Sequence, residues 1–147
     1  MKKSFTVLEL IFVIVIIGIL AGIAIPKLFP VIGTAKIKKA QSQVSAIRAA
    51  ISNAYSKNII SGNNVCPELE KSLTDNTVFE NILTYPISTN DKDVSWKVDL
   101  NNSNETVYTL KVGDLSTTFT YDKNTSTNCK FYCNSKDTLC KEIEQEK

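Results

Sequence analysis

The sequence predicts an α+β fold: a long N-terminal helix, hydrophobic and transmembrane in its first half and amphipathic in its second, packed on a small antiparallel β-sheet. Three observations point there. Residues 10–26 are 17 consecutive uncharged, overwhelmingly aliphatic positions. Ile37, Ala40, Val44, Ile47, Ile51 and Ala54 follow at alternating spacings of three and four, which draws one apolar stripe along a helix. Three later segments between residues 94 and 121 alternate apolar and polar positions and are rich in β-branched and aromatic residues.

Bulk composition limits the functions open to such a chain. With 147 residues, 43% apolar and 22% charged, it has the size and balance of one globular domain. Setting the apolar run aside leaves about 120 residues, enough for one small core. The 17 Lys and Arg residues nearly cancel the 15 Asp and Glu, and a net charge of +2 selects neither nucleic acid nor an anionic surface as partner. Histidine is absent, which removes the Ser-His-Asp and Cys-His arrangements and the common zinc enzymes. The expectation is a protein that is not an enzyme and that carries no cofactor or metal.

Taken in order, Met1-Lys2-Lys3-Ser4 is a short basic leader, and Phe5-Thr6-Val7-Leu8 brings Glu9 to the mouth of the aliphatic run. A carboxylate within a membrane helix costs about 2.5–3.5 kcal/mol at the bilayer centre, so Glu9 needs a partner or a function. Were the chain cut after Ser4, the new α-amine on Phe5 would lie four residues before Glu9, on the same helix face. That amine would neutralise the acid within one chain, or between chains as an arriving helix is set against one already packed. Lys2 and Lys3 favour a cytoplasmic N-terminus with the remainder exported.

Lys3-Ser4-Phe5-Thr6-Val7-Leu8-Glu9, followed by an aliphatic run ending Ile23-Ala24-Ile25-Pro26, resembles the N-terminal cleavage and methylation motif of type IV pilins and type II secretion pseudopilins. The likeness covers about the first 30 residues. It implies a pilin-like ladle with a leader over 1–4, a hydrophobic transmembrane and polymerisation helix over 5–28, and a soluble head over 29–147 that includes the amphipathic half of the helix and a three- to four-stranded sheet. It further implies that a prepilin peptidase cuts between Ser4 and Phe5 and methylates Phe5, and that Glu9 meets a neighbouring N-terminus during assembly. The position before the cut, usually glycine in the family, is Ser4 here. Implied partners are the chain itself and other pilin-like subunits in a helical filament, the prepilin peptidase/methyltransferase, an inner-membrane assembly platform, and membrane lipid before assembly. The implied location is the bacterial inner membrane, single-pass with a periplasmic head, and then a periplasmic or extracellular filament. An ordinary signal peptide cut near Gly22-Ile23-Ala24 is the alternative, opposed by Glu9 inside the apolar region and by helical periodicity beyond it.

One helix from near Phe5 to near Lys57 would be roughly 80 Å long. Its first half, apolar all round, needs lipid or neighbouring helices, whereas its second half, with Lys36, Lys38, Lys39, Gln41, Gln43 and Arg48 mostly opposite the stripe, needs a domain. Pro26 and Pro30 each lack an N–H, so a kink or local unwinding is expected between Gly22 and Pro30, and the resemblance implies an extensible segment at Pro26. Gly18 and Gly22 form a G-x-x-x-G pair that lets helices approach closely in lipid.

Ser61-Gly62-Asn63-Asn64 ends the helix, residues 67–73 are expected as a second, short helix, and a turn is expected near 78–83. Strands follow over 94–100, with Val94, Trp96, Val98 and Leu100 on one face, and over 106–112 and 115–121. Turns at 101–104 and at Gly113-Asp114 join them into a meander, and a shorter fourth strand is expected around Cys129 and Cys133. The helix stripe would cover the apolar face of this sheet.

Cys66, Cys129, Cys133 and Cys140 all follow the apolar run, where export would favour disulfides. Four cysteines allow three pairings and the sequence does not choose among them; Cys66 with Cys129 and Cys133 with Cys140 is our expectation, because it would tie down the connection and the C-terminal tail. A zinc site on the C-x3-C-x6-C spacing is the alternative. Residues 122–128 place oxygen-bearing side chains as the start of a calcium loop does but lack the glycine and the closing glutamate, so a polar hairpin is expected. Asp99-Leu100-Asn101-Asn102-Ser103 and Asp122-Lys123-Asn124-Thr125-Ser126 both resemble the acidic extended acceptor of some bacterial N-linked glycosylation systems. Asn101 and Asn124, both in expected turns, are therefore candidates for modification.

The function expected is that of a structural subunit of a type IV pilus or type II secretion pseudopilus, the short head fitting a pseudopilin or minor pilin. Alternatives are a minor pilin whose head binds DNA or a surface, and a signal-anchored periplasmic protein. Lys123, Lys130, Lys136 and Lys141 would serve a DNA-binding head, but Asp122, Asp137, Glu142, Glu144 and Glu146 offset them, so nucleic acid is not an expected partner.

Overall fold

The structure, a computed structural model, describes residues 6–71 and 76–145, with backbone alone for 26–32. The expected cut between Ser4 and Phe5 lies outside the described residues. The chain forms two compact units, one up to Ala35 and one over Lys36–Lys147. Helix α1 (Val7–Ile60) is followed by strands β1 (Thr77–Val78), β2 (Ile87–Ser88), β3 (Val94–Asn101), β4 (Glu105–Val112), β5 (Leu115–Asp122) and β6 (Phe131–Cys133), and by helix α2 (Thr138–Glu144). This is the α+β layout predicted, a long N-terminal apolar helix followed by a small antiparallel sheet.

In the first unit, α1 starts at Thr6, whose Oγ1 accepts the Glu9 N–H at 3.3 Å and so satisfies one of the orphan donors of the first turn. Over Val7–Ile25 the mean hydropathy is 3.0 and none of the side chains is buried. Nineteen residues at 1.5 Å rise cover about 28 Å, close to the roughly 30 Å of a bilayer core. The backbone stays helical through Pro26 and Pro30, so the local unwinding expected there does not occur. Each proline removes only one rung of the ladder, and its fixed φ is itself near the helical value.

In the second unit, α1 ends on a Schellman motif. The Gly62 N–H reaches Ile59 O at 2.9 Å and the Asn63 N–H reaches Asn58 O at 2.9 Å. Gly62, at φ +82°, supplies the left-handed residue that this geometry requires. The short helix expected over 67–73 is absent from its described part, 67–71, and residues 72–73 lie outside the described residues. Distant groups take the carbonyls a helix would have used: Tyr121 Oη donates to Pro67 O, the Asn81 N–H to Leu69 O, and Asn81 Nδ2 to Glu70 O.

The sheet is an antiparallel meander in the order β3-β4-β5-β6, beside a separate two-stranded ladder of β1 and β2 that the sequence reading missed. On β4, Thr106, Tyr108, Leu110 and Val112 face inward, and on β5 Thr117, Phe119 and Tyr121 do so. β3 departs from the expected alternation. Val98 pairs with Tyr108 but Leu100 pairs with Val107, so Asp99 is an extra, bulged residue. The bulge turns Leu100 outward, where it is 44% exposed, and leaves Val94 and Trp96 inward. It also carries Asn101 to the inner side, opposite Thr106.

Ala40, Val44, Ile47 and Ile51 of α1 are buried against the inward side chains of this sheet, with Ile37 partly buried beside them. Trp96, Tyr108, Phe119 and Phe131 cluster with Phe79, whose ring stacks on Tyr108 at 4.7 Å and meets Trp96 edge-on at 5.5 Å. Burying each large apolar side chain stabilises the fold by about 1.5–3 kcal/mol. Phe79 reaches this place at φ +64°, a left-handed conformation that costs about 1 kcal/mol for a residue with a Cβ. Burial of its ring outweighs that cost.

The unforeseen helix α2 is capped by the Asp137 side chain and buries Leu139, Cys140 and Ile143. Arg48 is the chain's one arginine. Its Nε donates to Phe131 O at 3.0 Å and its fork grips Glu144, so α1, β6 and α2 are joined at one guanidinium. Replacing Arg48 by Lys keeps the charge and loses the fork. With the Glu144 pair more than a third exposed, the expected loss is about 1 kcal/mol, read as a lower denaturant midpoint at unchanged slope; an unchanged midpoint would show that the fork holds nothing.

Two ion pairs clasp the loop between β2 and β3 to α1: Lys36 to Asp93 at 2.9 Å and Lys39 to Asp91 at 2.7 Å. The hydrogen bond from Lys39, with those from the Val94 and Asp93 N–H groups, holds the Asp91 carboxyl at about 2 instead of 3.8. Because the folded-state value is the lower one, this clasp contributes fully above pH 3.8 and is lost as pH falls toward about 2. Asp91→Asn is therefore expected to flatten the acid limb of a thermal-stability profile between those values and to leave the profile above pH 5 parallel to that of the natural chain.

Candidate functional site

Within the first unit, the described residues of Val7–Ile25 present an apolar surface with one charge on it. Among the described residues of Val7–Ile25, Glu9 alone is ionisable, and large side chains from Val7 to Ile25 stand 43% exposed or more. In water such a surface is unfavourable by about 25 cal/mol per Å², so it calls for lipid or for other helices. Glu9 is exposed, and its backbone N–H is held by Thr6 while its carboxylate has no partner among the described residues. The sequence reading gave Thr6 no role of its own. The T-x-x-E spacing of Thr6 and Glu9 is a capping-box signature that would have revealed it.

Gly18 and Gly22 lie on this helix with open space around them: a Cβ at either would meet nothing within 4 Å. Among the described residues, nothing packs closely enough to require their small size. Pro26 is helical in backbone, and its side chain lies outside the described residues.

The structure joins Cys66 to Cys129 and Cys133 to Cys140. A bridge of this kind contributes about 2–4 kcal/mol by restricting the unfolded chain. The same bridges tie the connection after α1 to the loop just before β6 and fasten α2 to β6. With all four sulfurs bonded to one another, the C-x3-C-x6-C spacing offers no thiolate for zinc.

The oxygens of residues 122–128 are turned onto their own backbone. Asp122 Oδ1 accepts from the Asn124 N–H and Oδ2 from Thr127 Oγ1, while Asn124 Oδ1 accepts from the Ser126 N–H and Oγ. Asn124 is exposed, just before a turn of 3-10 helix over Thr125–Thr127. Asn101, also expected in a turn, instead ends β3 and is half-buried, with its Oδ1 taking Thr106 Oγ1 and Lys123 Nζ. The bulge at Asp99 is what moved it.

Of the lysines a DNA-binding head would use, Lys123 has a 9% exposed side chain held by Glu68 and Asn101. Lys130 lies over the Tyr132 ring at 5.4 Å. Glu70, half-buried, accepts from Tyr108 Oη at 2.8 Å and from the Phe79 N–H at 3.1 Å. Burial pushes the Glu70 carboxyl above 4.5 and keeps both the Tyr108 and Tyr121 phenols protonated. Tyr108 is 0% exposed, so the pair braces the core and meets no substrate. A surface groove of about 490 Å³ is lined by Thr118, Thr120, Tyr132, Cys133, Asn134 and Ser135, with Lys130 over the Tyr132 ring and Glu144 Oε1 3.6 Å from Cys133 Sγ.

No protein-family profile matches the chain, and no solved structure matches it. Two fimbrial proteins of Pseudomonas aeruginosa are each 43% identical to it over 53 residues, 36% of this chain and 34% of the relative. The chain thus spans about a third of the length of the curated relatives it matches. This partial likeness supports a pilin-type family.

Proposed function

We propose that the chain is a structural filament subunit of the type IV pilus or type II secretion pseudopilus kind, with no active site of its own. On this reading the leader 1–4 is removed between Ser4 and Phe5 by a prepilin peptidase, which methylates the Phe5 amine. Residues 5–28 hold the subunit in the inner membrane, N-terminus in the cytoplasm, until an assembly platform extracts it. Residues 29–147 form the exported head, and the filament grows by packing of apolar helices from successive subunits.

Glu9 carries the proposal, as the one ionisable side chain among the described residues of the exposed apolar stretch Val7–Ile25. Desolvated and unpaired, a carboxylate there is costly to bury. Beside a neighbour's Phe5 amine it becomes an ion pair available only to a helix at the right height, which sets the stagger between subunits. Gly18 and Gly22, with space around them, fit helices that approach backbone to backbone. The two fimbrial relatives support the same reading. A DNA-gripping head is not favoured, since Lys123 and Lys130 are engaged within the chain.

Substituting Glu9 by Ala is expected to leave the membrane-bound pool intact and to cut the sheared filament fraction at least tenfold, with Asp in place of Glu9 intermediate. Assembly at the natural level by the alanine variant would defeat the pairing idea. The mature N-terminus is expected to be N-methylated Phe5; a chain beginning after Ala24 would overturn the whole proposal.

A further inference from the structure

The two acidic acceptor sequences are alike as strings and unlike as structures. Asn124 is exposed in a loop with an extended backbone at φ −84° and ψ 121°. Its Oδ1 is occupied by the Ser126 N–H at 2.9 Å and Ser126 Oγ at 2.7 Å, and its Nδ2 has no protein acceptor among the described residues. Asn101 is half-buried at the end of β3, paired with Thr106, and fixed by Thr106 Oγ1 and Lys123 Nζ, each at 2.9 Å. A third Asn-x-Thr, at Asn104, has Asn102 in place of the acid two positions before it, and its Thr106 is buried.

We propose that Asn124 is an N-glycosylation site of the folded, exported chain and that Asn101 is not. The acceptor is read as an extended Asp-x-Asn-x-Ser segment, so it has to leave the protein surface and enter another enzyme's groove. Lifting residues 122–126 breaks the local bonds among Asp122, Asn124, Ser126 and Thr127, frays one end pair of the sheet, Asp122 with Glu105, and draws Lys123 from Glu68 and Asn101, but leaves β3 paired with β4. Lifting residues 99–103 unpairs β3 from β4 across the bulge and strips Lys123 of one of its two partners. In the transfer, Asn124 Nδ2 bonds to the anomeric carbon of a lipid-linked sugar pyrophosphate, the anomeric C–O bond breaks, the lipid pyrophosphate departs and Nδ2 gives up one proton. The amide oxygen takes no part, so the turn that it caps can re-form beneath the sugar.

This inference rests on export of the head, and one measurement separates the two: intact mass and peptide mapping of the full-length chain purified from its own cells. A single glycan on the peptide containing Asn124 is expected, lost in Asn124→Gln and in Ser126→Ala and retained in Asn101→Gln. No added mass on that peptide, or added mass that survives Asn124→Gln, overturns the site. The N-terminal peptide in the same digest reports processing independently. A methylated Phe5 with a bare Asn124 retires the glycan and leaves the assembly reading standing; a glycan on Asn124 with residues 1–4 still attached does the reverse.

Discussion

An apolar helix with one carboxylate on it has a single electrostatic problem, and the place where that problem is solved decides what the molecule is. In water Glu9 needs nothing and the helix around it is intolerable. In lipid the helix is content and Glu9 is unfavourable. Only beside a positive group in an apolar surrounding are both satisfied together, and under the processing proposed above the Phe5 amine, four residues away, would be a source of one. Among the described residues of Val7–Ile25 the rest is consistent with this: no second charge, no buried side chain, and glycines with open space beside them.

Further along, α1 meets the opposite requirement. Ala40, Val44, Ile47 and Ile51 need cover that does not exchange, and the sheet supplies it as a permanent core. Polar side chains flanking the stripe then become fasteners. Gln43 takes the Trp96 indole N–H, Gln41 reaches Glu142 O, and Arg48 joins β6 to α2. A stripe that looks merely amphipathic in sequence has a rim in which several polar residues have assigned partners.

Periodicity made the helix, its end at Gly62, and three of the strands legible before any coordinates, because those elements are set by local spacing and by turn residues. What it could not supply was anything decided by partners distant in sequence. Residues 67–71 have helical composition but give their carbonyls to Tyr121 and Asn81, and no local rule foresees that. The bulge at Asp99 adds one residue to one strand and thereby exchanges the inward and outward sides for Leu100 and Asn101, defeating a strict alternation. α2 was legible and overlooked: Asp137 as cap with Leu139, Cys140 and Ile143 on one side is an ordinary short amphipathic helix. The importance of Arg48 was visible only as the rarity of arginine in a chain of lysines.

Phe79 shows where this chain has no freedom to drift. Its left-handed backbone would welcome glycine or asparagine, and the ring it inserts between Tyr108, Trp96 and Phe131 would tolerate only another large aromatic. No residue type satisfies both demands better than the one present. A substitution that relaxes the turn hollows the centre, and one that fills the centre equally well inherits the same awkward bend. Such a position resists exchange: a replacement has to be another aromatic, or the whole segment between β1 and β2 has to be rebuilt around it.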